Sequence, residues 1–436
     1  MKINMEDKII GGFNYEFLRG ISLEHVGAAE YGECMETISR VKEDDFTSWI
    51  IEWAELADRV SKYAEKELNS DNEKVAQDAY LRASNYYRMA VFYANHTDPR
   101  HTELWKHSKE CFQKMITLMD NPIESIEIEF EDAKLPAYFI SGGEGKRQTL
   151  IAVGGFDSTL EELYCWIGAN AAQYGWNCLI FEGPGQWGAL KLNPGLIFRP
   201  DYEKPVKAVV DYALTRPDVD KDKLALIGYS LGGYLAPRSA AFDPRIKACI
   251  ANTLILDFGK IAKASLNDLP KTHAIDSISN FLMQLDTPSR WAFQHSQWAL
   301  DIKTPQEWIE AYTPFNLNGL EENFKNPMLF LFSDDDIVRN TEIVRELLEF
   351  MNSLDCDRTV HLFTKEEGAS SHCQMGGLSY AQAVIFQWLD QIFCGKKQEI
   401  KPDPAASKAF VNVFKKYGGE VAEKNAQKLL DNAYLI

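Results

Sequence analysis

Leu224-Ala225-Leu226-Ile227-Gly228-Tyr229-Ser230-Leu231-Gly232-Gly233-Tyr234-Leu235-Ala236 is the stretch that decides how this chain reads. Its first four residues form a continuously apolar, β-like run, and its last four open a helix-like one. Between them stands G-x-S-x-G with Ser230 at its centre. A serine on such a strand-to-helix turn sits on strained backbone that tolerates only small neighbours, hence a glycine two residues away on each side. The turn lifts the hydroxyl off the sheet, and the following helix aims free N–H groups at whatever the serine attacks. The plainer reading is a glycine-rich β–α turn without chemistry. It yields to the nucleophile reading because a strand precedes the motif and a helix follows it.

Outward from this turn, strands and helices alternate. Upstream lie strands near 149–153 and 177–181, with helices near 160–174 and 202–215. Downstream come strands near 247–250, 328–332 and 359–363, with helices near 341–350 and 380–392. Short, continuously apolar strands predict an α/β fold, a mostly parallel doubly wound sheet covered on both faces. Before it, Ile126, Ile128 and Phe130 alternate with acidic residues, and 135–140 follows as a hairpin partner. Everything up to Pro122 is helical in pattern: Trp49, Trp53, Leu56, Val60 and Tyr63 recur at three- and four-residue steps, as do Val75, Ala79, Tyr86 and Met89.

The alternation breaks between Leu254 and Gly319. That stretch is helix-like and aromatic (Phe281, Trp291, Phe293, Trp298, Trp308, Tyr312, Phe315), as a cap over the carboxyl ends of the strands would be. The expected organisation is therefore a helical lid domain over 1–122, a core over 123–253 and 320–400, a helical cap insertion over 254–319, and a helical extension over 401–436. The extension holds two short helices, 406–415 and 420–433. They have two destinations, the body of the same chain or a second copy in a homodimer.

Composition narrows the function classes. The chain has 436 residues, 45 % apolar and 25 % charged, with a net charge of −18 and no basic block, which argues against nucleic acid or an anionic membrane as partner. Met1–Asp7 has no apolar leader pattern, and no uninterrupted stretch could span a bilayer. Eight cysteines without a C-x-x-C pair indicate neither a zinc site nor a disulfide framework, and point to a reducing cytoplasm. The expectation is a small-molecule substrate, with no metal and no organic cofactor.

A serine hydroxyl needs a base within hydrogen-bond reach, itself oriented by an acid. In a sheet of this kind the order along the chain is Ser, then Asp or Glu, then His. Asp334-Asp335-Asp336 follows the strand at 328–332. Asp335, with Asp336-Ile337-Val338 after it, is the expected acid; Asp336 and Asp334 are fallbacks, and a solvated acidic turn accounts for the other two. Asp257, after the strand that follows the serine's helix, is the alternate acid or a pocket carboxylate. His372, in a loop of small residues between the last strand and the last long helix, is the expected base. His25, His96, His101, His107, His273, His295 and His361 lack such placement. Cys373 reads as a small buried thiol, not a second nucleophile.

An oxyanion hole needs two N–H donors: Leu231, directly after the serine, and Phe156 in the turn Gly154-Gly155-Phe156-Asp157. Asp157 either contacts substrate or caps the next helix. Gly183-Pro184-Gly185-Gln186-Trp187-Gly188 matches the dinucleotide pattern G-x-G-x-x-G. No helix is expected to start there, however, and Pro184 removes an N–H, so it reads as a loop with Trp187 reaching toward the pocket. Asp157, Trp187, Asp257, Trp291 and Trp298 are the candidate pocket residues.

Taken together, these residues resemble the α/β-hydrolase superfamily. More narrowly they resemble its branch with a long N-terminal helical segment: 2,6-dihydropseudooxynicotine hydrolase, the FrsA-like esterases and the fungal polyketide-shortening hydrolases of the yellowish-green type. The carriers are Val153–Thr159, Glu182–Gln186, Arg199-Pro200-Asp201-Tyr202-Glu203, Thr215–Asp220, Ile227–Pro237 and Ala369–Gln374, within 123–393. Trp187 departs from the pattern, which has glycine after the Gln. The resemblance implies a Ser–Asp–His hydrolase that cleaves an ester or a ketone-adjacent C–C bond in an apolar, aromatic or polyketide-like substrate buried by helices and cap. An acyltransferase or cyclase would use the same acyl-enzyme with an amine or alcohol in place of water. A non-catalytic binder on this scaffold fits poorly with a full set of serine, acid and histidine.

Overall fold

In the computed structural model, residues 11–121, 123–267, 285–337, 340–395 and 403–436 are described. The leader stretch 1–7, Pro122, His273, Phe281, Val338 and Lys401-Pro402 lie outside them. The chain divides into two units by proximity in space, not chain order. One gathers Met1–Ile123, Tyr164–Ala169 and Leu269–Trp298; the other gathers Glu124–Leu163, Asn170–Asp268 and Ala299–Ile436. One boundary between them falls after Ile123, and the stretch 254–319 is shared between the two.

The helical unit rests on three long helices, Phe46–Leu68, Glu73–Phe92 and Pro99–Thr117, the middle one packed against both others. Asp45 caps the first by accepting from the Ser48 N–H at 3.1 Å, and Asp98 with Pro99 opens the third. Trp49, Trp53, Leu56, Val60 and Ala64 fall on one buried stripe of the first helix. The Trp49 ring lies 5.5 Å from Trp53 and 4.9 Å from Phe13, and its Nε1–H donates to Met89 O at 2.6 Å. Each such ring contributes roughly 1.5–3 kcal/mol by leaving water.

The other unit carries a nine-stranded sheet among the described residues: β1 Glu124–Phe130, β2 Ala133–Ile140, β3 Arg147–Val153, β4 Asn177–Phe181, β5 Val219–Tyr229, β6 Ala248–Asn252, β7 Met328–Ser333, β8 Arg358–Phe363 and β9 Tyr434–Leu435. Their order is β1-β2-β4-β3-β5-β6-β7-β8-β9. The hairpin β1–β2 and the β2–β4 pair are antiparallel, and every later pair is parallel. β4, β6 and β7 are buried along their whole length, so their continuous apolar runs are those of strands covered on both faces. Partners Tyr229↔Asn252, Asn252↔Leu331 and Ser333↔Phe363 bring the carboxyl ends of β5 to β8 into line. The loops after these ends carry Ser230, Thr253, Asp334–Asp336 and His372.

The C-terminal extension packs on the body of the sheet unit. Its helix, Pro404–Leu430, breaks at Gly419 (φ +72°), which accounts for the two expected pieces. Phe414 meets the Phe332 ring edge-on at 5.3 Å, and Arg345 Nε donates to Gly418 O at 2.8 Å. The chain then returns as β9 beside β8, a two-residue strand too short for any period to reveal.

Candidate active site

β5 ends at Tyr229, and the next helix, Gly232–Phe242, begins three residues later. Ser230 between them has φ +57°, a region that costs a residue with a side chain about 1–3 kcal/mol. Two backbone hydrogen bonds hold it there. The Ser230 N–H donates to Asn252 O at 2.6 Å, and the Gly233 N–H donates to Ser230 O at 2.7 Å. A Cβ on Gly228 would overlap the Gly232 carbonyl, and one on Gly233 the Thr253 carbonyl. The turn is therefore closed to side chains by backbone atoms that have no room to yield. Gly228→Ala is expected to destabilise the fold by about 3 kcal/mol, read as a lowered midpoint in urea; an unchanged midpoint would show that the elbow is looser than its contacts imply.

His372 lies in a short 3-10 turn, His372–Gln374, in the loop after β8. Its Nδ1 is 2.7 Å from Asp336 Oδ2. The acid beside the histidine is thus Asp336, not the expected Asp335. β7 ends at Ser333, and the Asp336 N–H turns back to Ser333 O at 3.0 Å, which swings the third aspartate inward. Asp335 points outward, its side chain 36 % exposed against 18 % for Asp336. Its two oxygens take Ser370 Oγ at 2.8 Å and Lys365 Nζ at 2.9 Å. Burial pushes the Asp335 pKa up, but Lys365 and Ser370 outweigh it and hold the carboxyl below its ordinary value. Asp257 is not at the histidine either. Its Oδ1 accepts from the Lys260 N–H at 2.9 Å, at the start of the helix Phe258–Asn267, and its Oδ2 from Asn316 Nδ2 at 2.8 Å.

Thr253 was not singled out from the sequence, yet its Oγ1 donates to the same Asp336 Oδ2 at 3.0 Å. Burial disfavours a charged His372, but the Asp336 carboxylate, with the neighbouring Cys373 adding to it, outweighs burial and raises the His372 pKa well above the usual histidine range. The loop is fixed from behind by Gln374, which is buried. Gln374 and Asn252 exchange side-chain hydrogen bonds at 2.6 and 3.0 Å, and Gln374 Nε2 also donates to Ser333 Oγ at 3.0 Å. Cys373 and Gln374 both hold positive φ, +54° and +57°, so the turn that presents His372 is strained and needs this brace. Asn252 serves twice, its carbonyl on Ser230 and its side chain on Gln374. Cys373 is a buried free thiol.

The turn after β3 passes directly beside the serine: a Cβ on Gly155 would lie 2.6 Å from Ser230 Cβ and 3.0 Å from its Oγ. Ser158 Oγ accepts from the Gly155 N–H at 3.0 Å. The helix that begins at Leu160 is capped by Thr159, whose Oγ1 accepts from the Glu162 N–H at 3.3 Å, a role considered for Asp157. A helix does start in the G-x-G-x-x-G loop, contrary to expectation, at Trp187–Leu192, with Gln186 as its N-cap residue. Gln186 is fully buried and turns its side chain back into the loop: Gly183 N–H donates to its Oε1 at 2.8 Å, and its Nε2 donates to Gly155 O at 3.0 Å.

Phe156, which follows Gly155, sits in an aromatic cluster. The Phe156 ring stacks on Phe198 at 5.8 Å and meets Tyr312 at 6.2 Å, which in turn packs edge-on against Phe258 at 4.3 Å. Of the expected pocket aromatics, Trp187 is 2 % exposed. Trp291 and Trp298 belong to the helical unit. Trp291 stacks on Phe92 at 4.3 Å and donates to its carbonyl, and Trp298 packs against His101 and His295. A recess of only about 10 Å³ there, room for no more than a water, is lined by Tyr93, His96, His101, Trp291, Gln294 and His295. Among the described residues no cluster of His, Cys, Asp or Glu is arranged to hold a metal, and no helix is long and apolar enough to cross a membrane.

Known proteins resemble the chain over most of its length. The 20-hydroxy-prefusarin hydrolase FUS2 of Gibberella moniliformis is 32 % identical over 410 residues, covering 88 % of this chain and 97 % of that protein. The hydrolase LUC6 of a Fusarium species is 31 % identical, covering 89 % and 98 %. Among solved structures, the 2,6-dihydroxy-pseudo-oxynicotine hydrolase superposes with a TM-score of 0.67 at 21 % identity over 86 % of this chain and 97 % of its own, a shared fold. The family described as esterase FrsA-like matches residues 33–303, more than half of the chain. With that match over more than half of the chain, and with hydrolases that align along nearly their whole length, this chain belongs to the FrsA-like esterase family and is an α/β-hydrolase enzyme.

Proposed function

We propose that the chain is a serine hydrolase that cleaves an acyl bond, ester or ketone-adjacent C–C, in an apolar small molecule through an acyl-enzyme. The carrying observation is the 2.7 Å contact of His372 Nδ1 with Asp336 Oδ2, at the sheet edge where Ser230 is held in its strained turn. With Nδ1–H donated to the carboxylate, the other ring nitrogen, Nε2, is the acceptor. Ser230 Oγ attacks the carbonyl as His372 Nε2 takes its proton, and the imidazolium so formed is stabilised by Asp336. The Phe156 and Leu231 N–H groups hold the developing oxyanion, each worth roughly 3–4 kcal/mol. His372 then protonates the leaving group and activates a water that releases the acid. The Phe156, Phe198 and Tyr312 rings favour an apolar acyl group, aromatic or polyketide-like, and the relative FUS2 is named for acting on 20-hydroxy-prefusarin.

A fluorophosphonate probe tests the reading. It should modify the native protein once, on the peptide containing Ser230, and His372→Ala should slow that labelling by a factor of about 10³ or more, since the hydroxyl loses its base. Labelling elsewhere, or none, would refute it.

A further inference from the structure

We infer that Gln186 is the positioning residue of the oxyanion loop, locking the Gly155–Phe156 peptide so that the Phe156 N–H faces the carbonyl attacked by Ser230. This rests on the serine-hydrolase reading above. The Gln186 amide is fully buried, and both its ends are taken by backbone. Gly183 N–H can only donate and Gly155 O can only accept, so the amide has one orientation, with Oε1 toward Gly183 at 2.8 Å and Nε2 toward Gly155 at 3.0 Å. A third contact, from Tyr202 Oη to Gln186 Oε1 at 3.4 Å, reinforces that orientation.

The consequence follows from the peptide unit. Gly155 C=O and Phe156 N–H belong to one planar trans peptide, so they point in opposite directions. Holding the carbonyl at Gln186 aims the N–H away from Gln186. The same stretch of backbone lies against Ser230, within 3.0 Å of Oγ for a Cβ built on Gly155, a gap that only glycine permits. Glutamine suits this task, since it needs a donor and an acceptor at the end of a chain long enough to cross from the β4 loop to the β3 loop. Gln186 touches no reacting atom. It acts through the peptide it holds.

Removing one oxyanion donor outright costs about 10²–10³ in kcat, and a donor displaced by about 1 Å can cost about 10². Gln186→Leu is therefore expected to lower kcat roughly 10- to 100-fold, with KM within about twofold, on the aryl ester best turned over by the native protein. Inhibition by an alkyl trifluoromethyl ketone, which forms an anionic tetrahedral adduct on the serine, should weaken by the same factor as kcat/KM. A merely structural role would not tie those two losses together. Gln186→Glu supplies the second variant in case the leucine does not fold. Its carboxyl can donate to Gly155 O only while protonated, so kcat should fall with rising pH along a limb the native protein lacks.

If both variants keep native kcat, or raise KM alone, or leave trifluoromethyl ketone affinity unmoved, Gln186 is not a positioning residue. Ser230→Ala separates the two ideas. Full turnover by Ser230→Ala defeats the serine mechanism itself, whereas a dead Ser230→Ala beside a fully active Gln186→Leu defeats only this inference.

Discussion

Asp336→Asn is expected to lower kcat by about 10⁴ with little change in KM, while Asp335→Asn lowers it by less than about tenfold. The difference lies in what each carboxylate faces. Asp336 Oδ2 lies 2.7 Å from His372 Nδ1, so in the proposed mechanism it fixes the tautomer in which Nε2 accepts the serine proton. An asparagine there can present its NH₂ to Nδ1, which moves the ring proton to Nε2 and leaves the serine facing a donor. Asp335 faces Ser370 and Lys365 at the surface, and a neutral side chain changes only that contact. The pH profile supplies a second reading. Burial lowers the His372 pKa, but Asp336, with Cys373 adding to it, outweighs burial and raises it above the ordinary 6.5. The base must be neutral to act, so native kcat/KM should climb with pH along a limb centred above 6.5. With Asp336→Asn the largest raising influence is gone, so the residual activity should climb at lower pH than in the native protein. If Asp335→Asn were instead the variant with the large loss, the pairing described here would be wrong.

The fate of the three aspartates shows how far the sequence is legible. Period and punctuation locate β7, the acidic turn after it and the loop of His372, because burial on both faces of a parallel sheet imposes unbroken apolar runs that end where the chain meets water. Which of three consecutive carboxylates turns inward depends on one backbone hydrogen bond, from Asp336 to Ser333, and composition carries no trace of it. The serine is legible for the opposite reason. Its strained turn excludes side chains at Gly228 and Gly232, and so writes the constraint into neighbouring residues.

The branch-specific stretches divide in the same way. Arg199-Pro200-Asp201 and Arg216-Pro217-Asp218 are conspicuous, yet they bracket loops with arginine–aspartate pairs, at 2.6 Å and 2.8 Å, that also reach Glu131 and Glu124. Gln186 and Gln374, by contrast, are inconspicuous amides that hold the two loops facing the serine. A buried amide signals its role only through its partners, and Gly155, Asn252 and Ser333 lie 31, 122 and 41 positions away in the chain. The helical stretch 285–298 belongs with the N-terminal helices for a related reason: Trp291 finds Phe92, a pairing across 199 positions that no local period announces.

Ser230→Ala is expected to reduce kcat by about 10⁶, the largest loss any single change here should cause, while leaving substrate affinity near native. In the proposed mechanism the hydroxyl makes and breaks the covalent bond to substrate, whereas binding rests on other side chains, which the change leaves in place. A small residual rate over water should survive, because the oxyanion donors and the imidazole remain. The variant is therefore also a trap. Incubated with a cell extract rich in polyketides and then denatured, it should release an intact ligand that the native protein converts and does not retain. The mass of that ligand, compared with the product of native turnover, identifies the bond. Ester cleavage yields an acid and an alcohol. Cleavage beside a ketone yields an acid and a shortened ketone, since the departing carbon must leave as an enolate, which takes its proton from the His372 imidazolium. Either pair adds one water to the mass of the trapped molecule. A product heavier by an amine or alcohol instead would mean that the acyl-enzyme is intercepted by another acceptor. Undiminished turnover by Ser230→Ala would remove the serine from the reaction altogether.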